Sequence, residues 1–166
     1  MQNNHFLKRF LFPSFTTGFL IRISIVTVAA GIFFGYICIP FKISGQSMEP
    51  TYHDDDVNCC WRPTYLFSNP KHHDIVAVRF AGQKVMLLKR VVALEGETVE
   101  FRNGELFINQ NRLHEPYVKY PCNWNLAPRT VKKGYVYVVG DNRNVLIQKH
   151  DFGQTRLKRI IGAPLW

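Results

Sequence analysis

The chain has 166 residues, 46% of them hydrophobic, which suits one compact domain plus one extra segment. Its formal charge of +9 is compatible with nucleic acid, anionic lipid headgroups or acidic partners, but Lys8, Arg9, Arg22 and Lys42 flank an apolar run, which favours a membrane surface. No helix-turn-helix pattern or zinc-finger spacing is present, so no nucleic-acid partner is expected.

No charged residue occurs from 23 to 39, and a helix of that length covers roughly 25 Å at about 1.5 Å per residue. Including Phe19, Leu20 and Ile21, with Arg22 snorkelling toward headgroups, gives an expected transmembrane anchor over 19–39. A cleaved signal peptide or a buried helix are the competing readings. The length of the run and the lack of a small-x-small site just beyond it argue against cleavage. The basic flank predicts that residues 1–18 stay on the cytosolic or matrix side and that residues 40–166 are translocated to a periplasmic, extracellular or intermembrane space. A bacterial plasma membrane is the favoured setting.

Pro40 is expected to end the helix, seven positions before Ser47. Such a link reaches at most about 25 Å at roughly 3.3 to 3.6 Å per residue, so Ser47 is tethered near the membrane. Residues 57–61, 74–80, 84–94, 98–102, 105–109, 135–139 and 159–162 read as strands. The pair 74–80 and 84–94 forms a hairpin, and Asn103-Gly104 marks another. Residues 120–129, with Pro121 and Pro128, read as an irregular loop. The fold class is therefore mainly β, an antiparallel core preceded by one N-terminal transmembrane helix. Of the four cysteines, Cys59 and Cys60 are adjacent and Cys38 lies in the apolar run, so the expected bridge joins Cys122 to Cys59 or Cys60. Neither a metal nor another cofactor is expected, since the Asp54-Asp55-Asp56 and His72-His73-Asp74 clusters are the kind usually found in solvated loops.

A serine in Ser44-Gly45-Gln46-Ser47 is by itself most cheaply a loop hydroxyl. Two later stretches change that. Alternation places Val85, Leu87, Lys89, Val91 and Ala93 on one strand face and Met86, Leu88, Arg90, Val92 and Leu94 on the other, each apolar apart from one cation. An ammonium among apolar neighbours can lose its proton because desolvation disfavours its charged form, whereas a guanidinium cannot. Lys89 is therefore a candidate base, and Arg90 more naturally a structural ion-pair partner or a surface group. The second stretch is Gly140-Asp141-Asn142-Arg143, a polar turn after an apolar strand.

Ser47-Met48-Glu49-Pro50-Thr51, Asp74-Ile75-Val76-Ala77-Val78, Lys89-Arg90-Val91-Val92-Ala93-Leu94-Glu95-Gly96-Glu97 and Gly140-Asp141-Asn142-Arg143 occur in the order and approximate spacing of type I signal peptidases, and in this the chain resembles that Ser/Lys-dyad membrane protease family, which includes the mitochondrial inner-membrane peptidases. The resemblance implies Ser47 as acyl-forming nucleophile and Lys89 as general base. It implies that Met48 lines the cleft, that the Ser47 N–H donates to the oxyanion, and that Asp74, Ile75 and Val76 lie on the strand that pairs with extended substrate. It also implies an inserted β region over about 97–131. The implied partners are preprotein signal peptides with small residues at the first and third positions before the cut, the lipid bilayer, and a possible partner subunit.

The chain departs from many members after the Gly-Asp-Asn-Arg turn. Leu146 stands where a serine contacts the catalytic lysine, and Gln148 and His150 stand where an Asp/Arg pair braces the site. Asp141, Asn142, Arg143 and His150, with Arg90, are the expected supporting residues. The leading reading is a membrane-anchored signal-peptidase-like serine endopeptidase. The alternative is a catalytically weak or inactive relative that binds preproteins or partner subunits, as Leu146 would allow. A self-cleaving repressor-like Ser/Lys protein shares the dyad but predicts an N-terminal DNA-binding domain where this chain has its anchor.

Overall fold

A computed structural model of the chain describes residues 16–80, 85–147 and 153–166. Helix α1 (Thr17–Ile32) starts at Thr16, whose side chain accepts from the Phe19 N–H. It continues through a wider π-helical turn, Phe33–Ile37, so the apolar rod covers Thr17–Ile37 with a mean hydropathy of 2.0, none of it buried against the rest of the protein. Its 21 residues correspond to roughly 30 Å, the thickness of a bilayer's hydrocarbon core.

The rod ends earlier than the expected 19–39. Cys38 and Ile39 belong to β1 (Cys38–Lys42), which pairs antiparallel with β2 (Val57–Trp61), Cys38 opposite Trp61 and Lys42 opposite Val57. Their backbone groups find ladder partners there. Pro40 therefore lies within an edge strand, where proline is tolerated, and does not itself end the helix. The same pairing corrects the cysteine expectation. Cys38 bonds Cys59, with their Cα atoms 5.7 Å apart, and Cys60 and Cys122 are free. The bridge runs between neighbouring strands, Cys59 being opposite Pro40, two positions from Cys38. A Cys38 placed in a membrane helix would have had no such neighbour. Burial pushes the Cys60 thiol up to about 11 and also raises that of Cys122, so both stay protonated near neutral pH.

Strands β3 (Ile75–Phe80) and β4 (Val85–Ala93) form a hairpin, as the sequence predicts. Four strands follow β4: β5 (Thr98–Arg102), β6 (Glu105–Ile108), β7 (Asn111–Arg112) and β8 (Leu126–Thr130). They make a sheet in the order β7-β6-β5-β8. Then β9 (Tyr135–Val139), β10 (Gly153–Arg156) and β11 (Ile160–Pro164) complete a seven-stranded sheet, β1-β2-β11-β3-β4-β9-β10. Every strand pair among the described residues is antiparallel. The architecture is thus mainly β with one N-terminal apolar helix. Strand β8 was not expected, since Pro121 and Pro128 mark 120–129 as an irregular loop. It forms because it is an outer strand, where Pro128 needs to satisfy only one neighbour.

Asn103 and Gly104 both adopt positive φ, 49° and 83°, and close the β5–β6 hairpin. Gly104 is needed twice over, because a Cβ there would stand 2.0 Å from the Cys122 carbonyl oxygen. The two sheets meet in an apolar cluster that includes Val92, Ala93, Phe101, Trp124 and Val139. Val92 and Ala93 share this cluster although alternation would separate them, because the β4–β9 register shifts between Val91 and Ala93. A second cluster, Ile43, Met48, Cys60, Ala77 and Leu88, packs beneath the Ser47 segment.

Candidate active site

Ser47 sits in the connection between β1 and β2, and tight local bonding shapes that connection. The Gly45 N–H donates to Asp54 Oδ1 at 2.8 Å, the Ile43 N–H donates to the Asp56 carbonyl, and the Asp55 N–H donates to the Ile43 carbonyl. Gly45 carries φ +90°, a conformation that favours glycine. Met48, fully buried among Ile43, Cys60, Ala77 and Leu88, pins the segment to the sheet and leaves the neighbouring Ser47 half-buried.

Lys89 lies in β4 opposite Val76 of β3 and is only 2% exposed. Its Nζ donates to Ser47 Oγ at 2.7 Å, joining residues 42 positions apart. Hairpin register delivers the amine to that spot, because β3 and β4 are paired from Ile75–Arg90 through Phe80–Val85. The Ser47 N–H has no acceptor among the described residues.

The turn after β9 ties the Ser47 segment to Arg90 of the lysine strand. The Asn142 N–H donates to the Ser47 carbonyl and its side-chain amide to the Gln46 carbonyl, each at 3.0 Å. Asp141 is fully buried and accepts from Thr51 Oγ1 at 2.5 Å. It also receives Arg90 in a two-pronged pair, Nε to Oδ1 at 2.8 Å and Nη2 to Oδ2 at 2.6 Å. Burial works against the Arg90 charge, yet the Asp141 hydrogen bonds and attraction outweigh it and raise the guanidinium pKa above its usual value. Arg90 is thus an internal tie between the lysine strand and the Asp141 turn.

Asp74 is used differently. Its carboxylate accepts from the Tyr65 hydroxyl and the Lys71 N–H, shaping the turn that enters β3. Ile75 and Val76 follow it. Beyond them Ala77 and Val78 are flanked by both β4 and β11, whereas Ile75 and Val76 pair with β4 and have no β11 partner among the described residues.

Sequence reasoning missed two residues here. Arg143, fully buried, donates through Nη1 and Nη2 to Glu115 at 2.9 and 2.5 Å and through Nε to the Gly140 carbonyl. The Tyr117 hydroxyl donates to the same Glu115 at 2.7 Å, and its ring lies 3.9 Å under the Arg90 guanidinium. Burial, with Glu115 second, raises the Tyr117 pKa, so the phenol stays protonated and keeps donating. Glu115 and Tyr117 come from the connection between β7 and β8, and no periodicity marks them. The only available signal was that buried arginines require acidic partners. Glu115→Gln should leave the Arg143 charge unpaired and cost about 3 to 5 kcal/mol of stability, read as a lowered denaturant midpoint. A midpoint equal to wild type would mean that the pair contributes nothing.

Leu146 lies at the surface. It is 59% exposed and lines a surface pocket of about 420 Å³ with Pro121, Cys122, Asn123, Arg143 and Asn144. The chain leaves the Asn142 turn toward the second sheet, where Trp124 Nε1 donates to the Val145 carbonyl, and this carries Leu146 outward. Gln148 and His150 lie outside the described residues.

The chain as a whole has relatives among known proteins. The profile of the family described as signal peptidase, peptidase S26, matches residues 16–164. Thylakoidal processing peptidase 1, chloroplastic, of Arabidopsis thaliana is 34% identical over 154 residues, covering 85% of this chain and 44% of that protein. Signal peptidase I V of Bacillus subtilis is 30% identical over 141 residues, 76% of this chain and 83% of the relative. A solved signal peptidase I from Enterococcus faecalis is 28% identical, with a TM-score of 0.47, covering 58% of this chain and 97% of the other. The chain spans less than half the length of the thylakoidal relatives and most of the length of the Bacillus one. With nearly its whole length matched by the family profile, the chain belongs to the S26 signal peptidases.

Proposed function

We propose that this protein is a membrane-anchored serine endopeptidase that removes signal peptides from translocated preproteins through a Ser47/Lys89 dyad. One observation carries the reading: a half-exposed hydroxyl lies 2.7 Å from an amine that is 2% exposed. Removal from water favours the neutral amine, the form able to take a proton.

In the proposed reaction, Ser47 Oγ bonds to the scissile carbonyl carbon while its proton passes to Lys89 Nζ. The carbonyl oxygen becomes an oxyanion, for which the Ser47 N–H is a donor without a competing acceptor among the described residues. Collapse breaks the peptide C–N bond, and the Lys89 proton goes to the departing amine. Lys89, neutral again, takes a proton from water as the water oxygen attacks the Ser47 ester; the ester C–Oγ bond then breaks, Lys89 returns its proton to Ser47 Oγ, and the signal peptide leaves with a new C-terminal carboxyl group. Substrate is held extended along the β3 edge at 74–76, and the residues before the cut are small. The apolar rod Thr17–Ile37 anchors the protein, with the basic N-terminal segment inside and the sheets on the outer side.

The test is incubation of the purified full-length chain in detergent with a preprotein carrying a small-x-small site, followed by mass spectrometry. A cut immediately after that site is expected. Retained binding without any cut, across several preproteins, would replace this reading with that of a preprotein-binding relative.

A further inference from the structure

Directly after β2 the chain forms a short 3-10 helix, Arg62–Tyr65, and this piece is fastened to the end of the apolar rod. Arg62 Nη1 donates to the Tyr36 carbonyl at 3.2 Å, and the Trp61 ring stands 6.2 Å from that of Phe33. The Cys38–Cys59 disulfide and the five-rung β1–β2 ladder hold the same junction from the other side. Beyond the 3-10 helix come Leu66, 67% exposed, and Phe67, 97% exposed. The turn that presents them is bonded internally, Leu66 N–H to the Pro63 carbonyl at 3.1 Å and Ser68 Oγ to the Thr64 carbonyl at 2.8 Å.

A single exposed leucine or phenylalanine needs no explanation in a protein surrounded by water. Position decides here. Tyr36, itself exposed, is an aromatic of the kind that sits at headgroup depth near the end of a span, and Leu66 and Phe67 follow a segment bonded to its carbonyl. Arg62 and Lys71 bracket the apolar pair and would meet anionic headgroups, while Phe67 and Leu66 enter the apolar layer below.

We propose that the Leu66–Phe67 turn is a second membrane contact, inserted into the bilayer interface beside the anchor. It rests on the anchor reading of Thr17–Ile37. Two attachment points restrain rotation of the sheets about the helix end, so the Ser47 cleft keeps one height and one orientation relative to the membrane.

The full-length chain, carrying Cys122→Ser, is reconstituted in phosphatidylcholine and phosphatidylglycerol vesicles. An environment-sensitive fluorophore is attached in three separate variants: Phe67→Cys in the turn, Val28→Cys in the rod, and Val57→Cys at the opposite end of the β1–β2 ladder. Lipids brominated in their acyl chains should quench positions 28 and 67 and spare 57, with blue-shifted emission at 67. Quenching at 28 without quenching at 67 overturns the second contact and leaves the anchor intact. No quenching at 28 overturns the anchor and the proposal with it. Equal quenching at 57 and 67 overturns the specific turn in favour of a sheet lying flat on the bilayer.

Discussion

Ser47→Ala and Lys89→Met are each expected to lower preprotein cleavage by at least about a thousandfold, and the double variant by no more than either alone. Residues that act as one unit lose their whole contribution when either member goes. Alanine removes the atom that would form the ester, while methionine keeps most of the lysine's volume and removes the proton acceptor. Lys89 is 2% exposed, so replacing it by an apolar chain ends the cost of burying an amine. Lys89→Met should therefore be at least as stable as wild type, measured by denaturant unfolding, although inactive. That combination separates chemistry from folding. Cleavage surviving in Ser47→Ala at a tenth of the wild-type rate would remove Ser47 as nucleophile.

The second large effect is expected at the Arg90–Asp141 pair. Asp141→Leu leaves a buried guanidinium without its counter-charge, and a loss of about 3 to 5 kcal/mol is expected. Arg90→Met should cost a similar amount by leaving the carboxylate unpaired. Joining Arg90→Met with Asp141→Leu removes both charges together and should recover much of the loss, the signature of a coupled pair in a double-mutant cycle. Activity should not recover with stability. Asp141 also holds Thr51, four residues beyond Ser47, so the double variant releases the nucleophile segment and kcat should fall more than KM. Single variants within about 1 kcal/mol of wild type would show the pair to be dispensable.

Much of the architecture is readable in the chain because covered strands leave short apolar runs bounded by turn residues. The hairpins at 74–94 and 98–109 and the strand at 135–139 are found that way. Edge pieces are not. Strand β1 was hidden inside an apolar run that continues from the helix, β8 behind Pro128, and β7 in two exposed residues without alternation. The misplacement of Cys38 followed from the first of these, and the wrong disulfide from that.

What the sequence determined by itself is local: an apolar rod, a mainly antiparallel β body, a serine near the rod, and a lysine that no water-facing strand position explains. Those features depend on residue type and spacing, which chain order preserves. Only the tertiary structure decided which groups meet. The Lys89–Ser47 contact at 2.7 Å, the Arg90–Asp141 tie, the Glu115 and Tyr117 brace and the outward turn of Leu146 each join or separate residues by strand register and loop path. Buried charges must find partners wherever the fold brings them, because an unpaired one costs several kcal/mol. That requirement states that partners exist, and only the packing of the two sheets says which they are.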